Sequence, residues 1–143
     1  MVDKDYSHRA TVDKLGIKPG YGIVFSDDVW PLDETFRRRV LDRAGRLAVE
    51  PETPENMDDA VDVVLVTVDD TTDAVAVLQR WRSRVRSAGA VWLLSPKRGQ
   101  RGYVDQRVLI DAGPDARMVD NRSCSVSDTV SGLRFVIRRT DRV

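Results

Sequence analysis

Apolar positions along the chain fall into short dense runs separated by stretches of helical spacing. Val61 to Val68 (VDVVLVTV) is nearly all β-branched. Strands buried on both faces have this pattern, which predicts an interior strand of a mostly parallel sheet. Ala90 to Leu94 predicts a second buried strand, and Tyr21 to Phe25 a first one, entered through the turn Lys18-Pro19-Gly20. Between them, Ala74, Leu78, Trp81, Val85 and Ala88 make one apolar stripe, predicting a long helix capped by Thr71 or Thr72 and closed at Gly89. Leu32, Phe36, Val40 and Leu41 make another, on a helix that starts at Pro31-Leu32-Asp33-Glu34 and stops at Gly45.

The remaining elements are shorter. Leu47 to Val49 predicts a brief strand ahead of the acidic loop PETPENMDD, and Val104 to Ala112 a helix. Arg117 to Val126 and Gly132 to Arg139 predict two strands joined by Ser127-Asp128-Thr129, an antiparallel hairpin. Strands alternating with helices imply right-handed crossovers. The fold class is α/β: a single Rossmann-like domain over residues 12–140 behind a flexible segment 1–11. Its sheet is mostly parallel, of about six strands, with helices on both faces and an antiparallel C-terminal hairpin.

The 143 residues carry 23 basic and 23 acidic side chains, a formal net charge of zero. That balance argues against nucleic acid or anionic membrane as a partner, since both require a positive field. No apolar run reaches the ~20 residues that span a bilayer, and MVDKDYSHRAT lacks the apolar core of a signal peptide, so the expected location is cytoplasmic. Cys124 is the only cysteine and His8 the only histidine. A Ser-His or Cys-His pair therefore lacks a well-placed base, and no cysteine-based metal site can form within one chain. Cys124 reads as a small core hydrophobe. The pairs Asp27/Asp28, Asp58/Asp59 and Asp69/Asp70 read as caps and solvated turns.

Ligands of open α/β sheets bind beyond the carboxyl ends of the strands. At the first such exit, Ser26-Asp27-Asp28-Val29-Trp30-Pro31 replaces the glycines that would let a backbone approach a phosphate or ribose. Trp30 is the aromatic candidate there. Glu50, after the short second strand, suits a ribose hydroxyl acceptor. The loop SPKRGQRG places Lys97, Arg98 and Arg101 beside two glycines, a candidate anion trap.

LGIKPG, GAVWLLSPK and SDTVSGLRF, in this order and spacing, resemble a bacterial domain-of-unknown-function family, number three thousand and fifty-two, common in actinobacteria. The resemblance covers residues 12 to 138. It implies a small α/β domain similar to a degenerate class I S-adenosylmethionine methyltransferase and brings no activity with it. Lys97, Asp128, Ser131 and Arg134 match the family's polar motif positions, and Val130 stands where members often carry Trp. The resemblance thus implies a candidate anion site of Lys97, Ser131 and Arg134, which Arg101 extends. The expected function is a non-catalytic module, without cofactor, that binds a protein partner or a small anionic metabolite. The alternative is an S-adenosylmethionine-dependent methyltransferase with Glu50 on the ribose.

Overall fold

The computed structural model describes residues 11–50 and 60–142, so His8, most of the N-terminal segment and the loop PETPENMDD lie outside the described residues. The elements run β1 (Ile23–Ser26), α1 (Glu34–Ala44), β2 (Val63–Thr67), α2 (Ala74–Arg82), β3 (Ala90–Pro96), α3 (Gln106–Asp115), β4 (Val119–Ser125) and β5 (Val130–Val136). They build one mixed sheet in the order β1-β2-β3-β5-β4. β1, β2 and β3 are parallel, and β5 runs antiparallel to both β3 and β4.

Side chains alternate across this sheet into two cores. Val24, Val64, Val66, Val91 and Leu93 pack with Leu78 and Trp81 of α2 and Leu109 of α3. Ile23, Val63, Leu65, Trp92 and Leu94 pack on the opposite face with Phe36 and Val40 of α1 and with Val12, Leu15 and Ile17. Both faces are covered, which is why β2 contains no polar position except Thr67, itself buried. Asp62, just before β2, ties the entry side together. Its carboxylate accepts from the Gly22 amide and from Arg86, each at 2.8 Å.

The sheet has five strands, one fewer than the sequence pattern predicts. Residues 47–49 form no strand because only Val49 docks. Its amide donates to the Ile23 carbonyl at 2.8 Å, on the side of β1 away from β2, while Leu47 is 86% exposed. α2 is also shorter than predicted, ending at Arg82. The Arg86 amide is drawn to the Val61 carbonyl at 3.0 Å and its guanidinium to Asp62, so residues 83–89 fold back as turns with Val85 still buried. Asp73, not Thr71 or Thr72, caps α2 by accepting from the Ala76 amide.

Candidate functional site

The connections leaving β1 and β2 diverge. The chain leaves β1 for α1 on one face and then passes the outer edge of β1, whereas it leaves β2 for α2 on the other face. Strand connections that part to opposite faces leave a crevice beyond the strand ends, the usual ligand position in open α/β sheets. Here that crevice has a volume of about 890 Å³. Its walls come from the exits of β1, β2 and β3 and from the turn before β5.

Trp30 forms the apolar wall at the β1 exit. Its indole N–H donates to the Val68 carbonyl at 2.9 Å, which holds the ring across the gap between the β1 and β2 exits. The loop beneath it is fixed by Asp27, whose carboxylate accepts from the Leu32 amide and from Arg37, both at 3.0 Å. Arg37 in turn lies over the Phe25 ring. The two aspartates of the β1 exit thus divide: Asp27 is structural and Asp28 is exposed.

The opposite wall comes from the loop after β3. Gly102 adopts φ +84°, a left-handed turn that a side chain would strain, and a β-carbon there would stand 3.1 Å from the Asp69 β-carbon. This close approach lets the Asp70 amide donate to the Gly102 carbonyl at 3.0 Å, linking the β2 and β3 exits. Asp69 is occupied by its own turn, since its carboxylate accepts from the Thr71 amide and from the Thr71 and Thr72 hydroxyls. Those bonds, the Thr71 hydroxyl first, hold it below the ordinary carboxylate range. Arg101 makes no hydrogen bond or ion pair among the described residues, and its exposed guanidinium lines the crevice. Asp70 is likewise exposed, and its carboxylate has no partner among the described residues.

The other sequence candidates sort into separate places. Lys97 and Ser131 do meet, in a smaller polar cavity of about 320 Å³ with Arg98 and buried Ser95. The Lys97 ammonium donates to the Ser125 hydroxyl at 2.6 Å, and its amide to the Thr129 carbonyl, so it also braces the hairpin. Arg134 does not join them. Along β5, Leu133 and Phe135 pack on the α2–α3 side, and the alternating position Arg134 projects to the other face, beside Tyr21 and Gly16. Asp128 is exposed at the tip of the turn. Glu50 follows Val49, which pairs with the first residue of β1, so it lies near the strand's entry side and does not line the crevice.

Cys124 is half-buried on β4 against the α1-side core. Burial pushes its thiol up, with Lys14, Arg122 and Lys97 pulling weakly the other way. Since the thiolate is the reactive form, alkylation by iodoacetamide in mild alkali is expected to run slower than for free cysteine. Mass spectrometry of a timed reaction checks this, and labelling at the free-cysteine rate would contradict it. Among the described residues no cluster of metal-ligating side chains occurs, and no helix is long and apolar enough to cross a membrane.

Solved structures similar in fold include methyltransferases. A SAM-dependent methyltransferase from Aquifex aeolicus superposes with TM-score 0.61 at 11% identity, covering 92% of this chain and 89% of that one. Mitomycin 7-O-methyltransferase MmcR gives 0.56 at 11% identity over 93% of this chain and 54% of its own. The neocarzinostatin O-methyltransferase NcsB1 gives 0.53 at 18% identity over 82% and 42%. This chain thus spans about half the length of the latter two, and identities this low establish the fold alone. At the β1 exit the Trp30 ring, held by the Val68 carbonyl, lines the crevice, and residues 26–31 contain no glycine.

No curated protein matches the sequence. The family model described as "Protein of unknown function (DUF3052)" matches residues 12–139, nearly the whole chain, as LGIKPG, GAVWLLSPK and SDTVSGLRF imply. The chain belongs to that family.

Proposed function

We propose that this chain is a non-catalytic binding module whose crevice at the carboxyl ends of the strands takes a small anionic metabolite. One observation carries the proposal: Arg101 presents a guanidinium without a partner, among the described residues, to a crevice with an apolar wall. A cation kept uncommitted beside Trp30 suits a ligand with an apolar body and one anionic end. The open carboxylate of Asp70 repels a second negative group, which favours a monoanion over a polyphosphate. With one histidine and one cysteine in the chain, neither a nucleophile–base pair nor a metal centre offers itself as machinery.

A thermal-shift screen over carboxylate metabolites, nucleotides and S-adenosyl compounds tests this. A monoanionic compound is expected to raise the melting temperature saturably. Arg101→Ala is expected to weaken its binding ~10-fold or more, the usual effect of losing a hydrogen bond to a charged group. Stabilisation by S-adenosylmethionine that survives Arg101→Ala would favour the methyltransferase alternative instead. A response to no compound would remove the metabolite-binding proposal.

A further inference from the structure

A second feature lies on the α1 face of the sheet, toward the entry ends of the strands and away from the crevice at their exits. Arg122 on β4 and Arg134 on β5 are direct register partners. Residues directly opposite in an antiparallel pair share a face with their β-carbons about 5 Å apart, and like charges placed so are destabilising. Neither arginine has a carboxylate within ion-pair distance among the described residues. Arg122 makes one hydrogen bond, to the Lys14 carbonyl at 3.3 Å, and Arg134 makes none.

The burial of Arg134 sharpens the anomaly. It is half-buried and lines a cavity of about 80 Å³ together with Gly16, Tyr21 and Arg86. The one carboxylate there, Asp62, is already filled by Arg86 and the Gly22 amide. Burial, and after it the Arg122 guanidinium, hold Arg134 below the ordinary arginine range. Desolvating a guanidinium without a counter-charge is costly, and placing a second one opposite adds to that cost. An incoming anion would remove both penalties at once.

We propose that Arg122 and Arg134 together bind a small oxyanion: one phosphate or carboxylate group held between the two paired guanidiniums. The guanidinium fork matches the paired oxygens of either group. Arg122 is exposed and lies outside the lining of the cavity of about 80 Å³, so the anion would sit between the two guanidiniums on the sheet face. This site is independent of the crevice, which lies at the strand exits and contains neither arginine.

Thermal unfolding of the full chain, with inorganic phosphate or acetate against chloride at matched ionic strength, is the test. At least one of the two anions is expected to stabilise saturably beyond chloride, and the stronger one identifies the group. Arg122→Gln and Arg134→Gln are each expected to weaken the apparent affinity ~10–100-fold. In chloride both variants should melt no lower than the parent, because each relieves the repulsion; this separates lost binding from lost folding. A response equal to that of chloride, or one that either glutamine variant retains in full, would overturn the site.

Discussion

Alanine at Gly22 is expected to cost ~3 kcal/mol or more, a large fraction of the stability of a domain this size. The reason lies in backbone, which cannot rotate aside as a side chain does. A β-carbon at this position would stand 2.0 Å from the Ala60 carbonyl oxygen and 3.3 Å from a Val49 methyl. Retreat is blocked, because the Gly22 amide is held by Asp62 and its carbonyl accepts from the amides of Asp62 and Val63. The contact therefore disturbs the entry to β1 and β2 together, the pair of strands whose exits form the crevice. Urea denaturation of Gly22→Ala beside Asp128→Ala, a change at an exposed turn, checks this. Equal midpoints for the two variants would show that the close approach is not a constraint.

Trp92→Ala is expected to be similarly severe, at ~3–5 kcal/mol. Trp92 is fully buried in the middle of β3, on the face covered by α1 and the N-terminal turn. Its ring fills the space that Gly132 leaves open on β5, where a β-carbon would come within 3.1 Å of it. Its indole N–H donates to the Leu15 carbonyl at 3.1 Å, pinning residues 12–17 to the sheet. Truncation thus combines a large cavity with an orphaned carbonyl. Trp92→Phe should fall between parent and alanine, since it keeps most of the packing and loses the hydrogen bond. A phenylalanine variant as unstable as the alanine one would mean that the hydrogen bond outweighs the packing.

The elements most legible in the sequence were those that repeat one environment over many residues. Val61 to Val68 announces β2 because both faces of that strand are covered, and Leu32, Phe36 and Val40 announce α1 because one face is. The elements that the sequence misplaced depend on single docking events. Leu47 to Val49 has strand composition, yet only Val49 finds a partner on β1. The predicted run of α2 to Gly89 yields to Arg86, whose amide and guanidinium are both claimed by residues before β2.

The site was legible loop by loop and illegible as an assembly. Trp30 and Arg101 are nominated separately by the sequence, and only the diverging connections bring them to one crevice. Separation of Arg134 from Lys97 and Ser131 follows from strand parity, which places alternate residues of β5 on opposite faces. Arg122 was missed altogether, although a signal exists. It and Arg134 lie equally far from Asp128 at the hairpin tip, so register counted outward from the turn pairs them.

The central claim, that the diverging exits of β1 and β2 create the binding site, is tested most directly by amide and indole NMR of the ¹⁵N-labelled chain. A ligand from the thermal-shift screen is titrated in, and shift changes are mapped. Changes concentrated at the Trp30 indole N–H and at the amides of Asp70, Arg101 and Gly102 are the predicted result. A saturable titration that leaves these signals unmoved would contradict the account.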